Sequence, residues 1–139
     1  SVKSVYLPKL EVVGDCWLEQ NTDLRKVYLP SLLEVGNNFL YANAVCTEIV
    51  LPKLKKAGAN FFQGVKTVNR CCLPKLTSLE HDSFFFVKSI SCTPKLTLRA
   101  VNSRMFLFTP SEILRKNVKV ERSSEFRFIA IYLLEQLQL

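Results

Sequence analysis

Three groups of side chains in this 139-residue chain could do chemistry: one histidine between two carboxylates, five cysteines, and a set of lysines, arginines and tyrosines that recur at a fixed spacing. Glu80-His81-Asp82 contains the parts of an acid–base pair, and Glu80 with Asp82 the parts of a glycosidase's two carboxyl groups. Catalysis needs a base oriented by one group and within hydrogen-bond reach of a nucleophile or substrate. Neighbours on a turn do not hold that geometry, and no nucleophile is placed beside them, so a solvated turn accounts for the triplet. We expect no catalytic residue and a non-enzymatic protein. The cysteine count is odd, Cys71 and Cys72 are adjacent, no C-x-x-C occurs, and one histidine cannot complete a common zinc set. No glycine-rich phosphate loop is present. We therefore expect neither metal nor cofactor.

The recurring basic and aromatic residues are positioned by a repeat. Leu7-Pro8, Leu29-Pro30, Leu51-Pro52 and Leu73-Pro74 stand 22 residues apart over three intervals. A fixed period of this size marks stacked units, each covering its neighbour's apolar face. Aligned on the proline, each copy opens on the pattern L-x-x-L-x-L: Val2/Val5/Leu7, Leu24/Val27/Leu29, Cys46/Ile49/Leu51 and Val68/Cys71/Leu73. A fifth, Val87/Ile90/Cys92, follows after a unit shortened by three residues, with Pro94 one place late. The alternation within each copy is that of a short β-strand, with Val27 and Leu29 inward and Lys26 and Tyr28 outward. Proline, with no N–H and a fixed φ, ends each strand.

Leu10, Leu32, Leu54, Leu76 and Leu96 form a second inward column. Gly14, Gly36 and Gly58 suggest a bend that needs positive φ or close backbone approach. The pairs Trp17-Leu18, Phe39-Leu40, Phe61-Phe62 and Phe84-Phe85 are expected to fill the core beneath a short helical or irregular return segment. Cys46, Cys71 and Cys92 fall on inward positions held by aliphatics in sister copies, and Cys72 on an outward one. They read as reduced thiols without a disulfide, and hence as a cytoplasmic or other reducing compartment.

Outward strand positions form the candidate binding face. One column reads Ser4, Lys26, Glu48, Arg70, Ser89 and the next Tyr6, Tyr28, Val50, Cys72, Ser91, with Lys9, Lys53, Lys75 and Lys95 along the rim. Tyrosine and arginine dominate interface hot spots. The candidate partner-binding set is therefore Tyr6, Lys26, Tyr28, Glu48, Val50, Arg70 and Cys72, with Lys53 and Lys75. A net charge of +7 and a single acid in these columns point to an acidic protein patch. The charge alone also admits anionic lipid or nucleic acid, but no recognised nucleic-acid motif accompanies it, and nucleic acid is not the partner we expect.

This pattern resembles the leucine-rich repeats, specifically the BspA-like subclass, in which the strand ends in Leu-Pro and is followed by an apolar-Gly step and a Phe. The resemblance covers about residues 2 to 98. It implies an α/β solenoid, a right-handed superhelix of about five coils over 1–98 with a parallel concave sheet. Proteins similar to this subclass often sit on microbial surfaces and bind host proteins, so an adhesin is one alternative. The substrate-recognition part of a larger bacterial effector, delivered into a host cell, is another.

Residues 99–139 read as a C-terminal capping segment. Thr109-Pro110-Ser111-Glu112 is a helix start, giving a helix near 110–116, and Val118-Lys119-Val120 is ambiguous. Phe126, Ile129, Ala130, Leu133, Leu134 and Leu137 share helical spacing, giving a second helix near 124–138 that caps the solenoid or pairs two copies as a homodimer. No run approaches the ~18–20 apolar residues of a membrane span. No apolar stretch of signal-peptide type follows the first residues. The chain opens on a repeat boundary although solenoids need end caps, which leads us to expect a piece of a longer protein.

Overall fold

A computed structural model of the chain describes residues 2–80, 82–84, 87–99 and 111–120. It is a parallel β-solenoid of about five turns. Each coil begins with a short strand that is followed, after the proline turn, by a second in all but the fourth coil. The first set is β1 (Ser4–Tyr6), β3 (Lys26–Tyr28), β5 (Glu48–Val50), β7 (Thr67–Cys72) and β8 (Ser89–Cys92), which pair in that order as one parallel sheet. The second set, β2 (Val12–Val13), β4 (Glu34–Val35) and β6 (Lys56–Ala57), forms a three-stranded parallel sheet. β9 (Leu96–Leu98) and β10 (Val118–Val120) pair in parallel, with α1 (Ser111–Asn117) between them in sequence.

The register follows the 22-residue period. Ser4, Lys26, Glu48 and Arg70 lie side by side, as do Val5, Val27, Ile49 and Cys71. In the second and third coils the inward columns bury almost completely: Leu24, Leu29, Leu32, Ile49, Leu51 and Leu54 have no exposed surface, whereas Val2 and Leu7 of the first coil, expected inward, are exposed. Each buried side chain of this kind contributes about 1.5–3 kcal/mol relative to leaving it in water. Successive coils exchange backbone hydrogen bonds outside the strands as well. The N–H of Cys16 donates to the Asn37 carbonyl at 2.8 Å, and that of Asn38 to the Ala59 carbonyl at 2.9 Å.

The return segments are turns, and the helical side of the α/β expectation does not appear in them. Among the described residues α1 is the one helix. Two corners take left-handed backbone. One holds Cys16, Asn38, Asn60 and Asp82, with φ between 57° and 61°; the other holds Gln20, Ala42 and Gly64, with φ of 56°, 60° and 83°. Both columns keep the 22-residue spacing. Left-handed corners close a coil in few residues, which leaves no length for a helix.

Gly36 and Gly58 serve the close-approach alternative and not positive φ. A Cβ on Gly58 would meet the Asn37 backbone nitrogen and the Gly36 carbonyl carbon, each at 2.8 Å, whereas one on Gly14, in the first coil, meets nothing within 4 Å. Beside them runs an amide ladder. The Asp15 carboxylate accepts from the Asn37 N–H at 2.7 Å, the Asn37 side-chain carbonyl from the Ala59 N–H at 2.9 Å, and the Asn38 side-chain carbonyl from Asn60 Nδ2 at 2.7 Å.

Two alignments of the later coils are corrected, and one ambiguous segment takes a defined structure. Phe84 packs on Phe62 with ring centroids 5.2 Å apart and the planes tilted by 39°, so it continues the column of Leu18, Leu40 and Phe62. The position after Phe61 in the other aromatic column is therefore Ser83, and the expected pair Phe84-Phe85 is displaced by one. Second, β8 pairs as Thr67↔Ser89, Val68↔Ile90 and Cys71↔Cys92, with a register shift between Val68 and Cys71. Two residues, Asn69 and Arg70, thus oppose Ser91. The paired residues stand 22 and then 21 apart, so the bulge in β7 takes up one residue; Ile90 pairs with Val68 and not with Cys71, and Ser89 and Ser91 leave the columns assigned to them. The ambiguous segment, Val118–Val120, is a strand, held by Leu96, Thr97 and Leu98. The helix expected near 110–116 is present as Ser111–Asn117. Asn117 is buried, and its side-chain carbonyl accepts the Cys92 N–H at 2.7 Å, so the end of α1 satisfies a donor of the last strand in the large sheet. The helix expected near 124–138, and the homodimer it would serve, lie outside the described residues, as does His81.

Candidate binding face

The outward residues of β1, β3, β5 and β7 stand where the repeat predicts. Tyr6 and Tyr28 are exposed, and their rings stack with centroids 5.3 Å apart at 28°. In-register strands lie about 4.8 Å apart, and that spacing brings two aromatic rings on one face into offset contact. Val50 and Cys72 continue the column, half-buried. The face thus grades from two exposed rings on the first two strands to smaller, more sunken groups on the next two.

The neighbouring column carries the charge. Lys26 Nζ lies 3.9 Å from Glu48 Oε1, with the lysine side chain 63% exposed and the glutamate 35%. An exposed pair of this kind adds little stability, about 0–1 kcal/mol. Its effect is on the pattern: Glu48 offsets Lys26, and Arg70, exposed and in register with Glu48, is the cation of the column that forms no ion pair among the described residues. Lys53 and Lys75 are exposed but sit on the proline turns, past the strand ends. They are not brought into the Tyr6–Tyr28–Arg70 face and belong to an adjacent edge.

The thiols divide as the columns predict. Cys46, Cys71 and Cys92 are buried, Cys72 is half-buried, and all five cysteines are free. Burial pushes the Cys46 thiol up to about 11. Cys71 is raised well above its ordinary range, first by a hydrogen bond with the Cys92 thiol beside it and then by burial. The Cys46 and Cys71 thiols are thus protonated and shielded, which suits packing and not nucleophilic attack. Cys16 is exposed on its left-handed corner. Its thiol is also raised, chiefly by a hydrogen bond with the Glu19 side chain.

Glu80 and Asp82 form part of a corner. The Ser83 hydroxyl donates to the Glu80 carbonyl at 2.6 Å, and Asp82 takes the left-handed conformation. Among the described residues no group of three histidine, cysteine or carboxylate side chains could hold a metal ion. Nor is any described helix long and apolar enough to cross a membrane.

Two basic residues were missed by the strand columns: Lys55 and Lys56, both exposed just past the proline turn of the third coil. The signal for them is the run Lys53-Leu54-Lys55-Lys56 itself, in which only the leucine turns inward. The fold and this face define the chain as a parallel β-solenoid with a polar sheet wall. No protein-family model, no curated protein and no solved structure matches it.

Proposed function

We propose that this solenoid is a leucine-rich-repeat protein of the BspA-like type, and that its five-stranded sheet is a non-enzymatic binding face for an acidic patch on a partner protein. The observation that carries the reading is the exposed Tyr6–Tyr28 stack, one column from Lys26, Glu48 and Arg70. Paired tyrosine rings supply buried area at low entropic cost and keep a hydroxyl at each tip for hydrogen bonding. Arg70 supplies a planar, bidentate donor for a partner carboxylate. The repeat type is supported by the L-x-x-L-x-L positions, which supply the buried strand side chains in coils two to four. Five unpaired thiols, three of them buried, support a reducing compartment.

The test is capture of partner proteins on the wild type beside a Tyr28→Ala, Arg70→Glu variant, followed by titration of a purified partner. Both side chains are exposed, so the variant should fold normally. Loss of at least about tenfold in affinity is expected, the scale of a typical hot spot. A partner that binds both proteins equally would remove the sheet face from consideration.

A further inference from the structure

Charge is distributed unevenly along the solenoid axis. Residues 2–44, the first two coils, hold four bases against five acids: Lys3, Lys9, Arg25 and Lys26, then Glu11, Asp15, Glu19, Asp23 and Glu34. The described residues from 45 onward hold twelve bases against four acids. The excess gathers on the edge where the proline turns lead out of the large sheet. Lys53 and Lys75 occupy the same turn position in successive coils, and Lys95 follows Pro94 in the next. Lys95 Nζ donates to the Arg115 carbonyl at 3.3 Å, which ties the last turn of α1 to this edge. β10 then adds Lys119 beside Thr97. Four successive layers thus present an exposed lysine, over roughly 15 Å at about 4.8 Å per layer. Lys55 and Lys56 widen the row; Glu34 stands in register beside Lys56, and within the described residues none of these six forms an ion pair. In the first two coils the corresponding edge carries Lys9 with Glu11, and Ser31 with Glu34.

We propose that this ledge binds the phosphate backbone of double-stranded nucleic acid without regard to sequence. Several unpaired lysines in line are matched to a rod bearing a negative charge about every 1.7 Å of its axis. The ledge segments, 52–56, 74–78, 95–99 and 111–120, contain no aromatic residue, so there is no platform on which unpaired bases could stack, and a duplex is favoured over a single strand. A membrane surface is disfavoured because no large apolar side chain of the third or later coils is exposed among the described residues; Val2, Leu7, Val12 and Trp17 lie in the first coil, with Val12 two strands from Lys56 in the same register. Lysines on backbone phosphates position a duplex and carry no base readout. The ledge is separate from the tyrosine face, so the two surfaces stand or fall independently.

The experiment is fluorescence anisotropy of a labelled mixed-sequence DNA duplex titrated with the whole chain over a range of salt. The logarithm of the binding constant should fall linearly with the logarithm of salt, with a slope near −4 for about four to five phosphates contacted. A Lys53→Glu, Lys55→Glu, Lys75→Glu variant, altered only at exposed positions, should weaken binding at least about tenfold and flatten the slope. The Tyr28→Ala, Arg70→Glu variant should bind duplex like the wild type. Undiminished binding by the triple variant, or loss with the Tyr28/Arg70 variant instead, would overturn the proposal. So would equal affinity for polyglutamate, or tighter binding to phosphatidylserine vesicles than to duplex.

Discussion

The first three coils and the last two are built from one pattern but pack differently. In the early coils Trp17, Phe39 and Phe61 stack in a file, with centroids 6.1 and 5.4 Å apart. Beside them the Asp15, Asn37 and Ala59 ladder repeats the same hydrogen bond from layer to layer. In the later coils Ser83 ends the file and β7 is bulged against β8, and the thiols that take aliphatic positions, begun at Cys46 in the third coil, continue at Cys71 and Cys92. A ladder propagates only while the next layer offers the same group. Where it does not, the chain turns to local solutions, such as the Ser83 hydroxyl on the Glu80 carbonyl and Asn117 on the Cys92 N–H.

Phe61 stands at the border between the two regimes and gives the largest expected effect. It has no exposed surface, stacks on Phe39, and meets Phe62 edge-on at 4.6 Å. Phe61→Ala should cost about 3–5 kcal/mol by urea unfolding. Trp17→Ala, at the outer end of the same file with 36% of the residue exposed, should cost clearly less. Equal losses would mean that the file is not a cooperative part of the core.

The thiol layers should show a second difference, in alkali. An ordinary cysteine ionises near 9.0, and Cys46 near 11 because its thiol is buried. Between those values the unfolded chain has lost a proton that the folded chain keeps. Stability is therefore unaffected by this group below about pH 9 and falls as pH rises to about 11, by an amount on the order of 2–3 kcal/mol. Cys46→Val should reduce the slope of stability against pH in that window and leave neutral stability within about 1.5 kcal/mol. An unchanged slope would show that Cys46 is not the group responsible.

Much of this comparison was legible in the residues. The 22-residue period with strand alternation fixed which side chains share a column, and so brought Tyr6 to Tyr28, and Lys26 to Glu48 and Arg70. It failed where local geometry outweighed the period. Asn69 and Arg70 both oppose Ser91 because β7 is bulged there, and a shortened unit in the sequence does not say how the next strand will register. Val118–Val120 is too short for its alternation to be read, and it is a strand because Leu96–Leu98 offers it an edge. The left-handed corners went unread because Cys16, Asn38, Asn60 and Asp82 share a conformation and not a residue type.

Glycine separates the first layer from those stacked on it. Gly58→Ala places a methyl against the Asn37 backbone nitrogen and the Gly36 carbonyl carbon, and should cost about 1–3 kcal/mol. Gly14→Ala meets no atom within 4 Å and should be neutral or stabilising, by up to about 1 kcal/mol, because it restricts the unfolded chain. Thermal unfolding of the two variants measures the contrast. The same sign in both would mean that close stacking of coils is not what selects glycine.

The smallest expected effect leaves stability untouched and reads the packing directly. Timed alkylation of the native protein at neutral pH, with mass mapping, should modify Cys16 and Cys72 in a fast phase and Cys46, Cys71 and Cys92 slowly. The columns alone singled out Cys72. The exposed left-handed corner adds Cys16, whose raised thiol slows it relative to its full exposure. Rapid modification of Cys71 or Cys92 would place the last two strands in a state that opens readily. The irregular end of the solenoid would then be its weakest part, and the Asn117 bond to the Cys92 N–H would be an inadequate closure for the sheet.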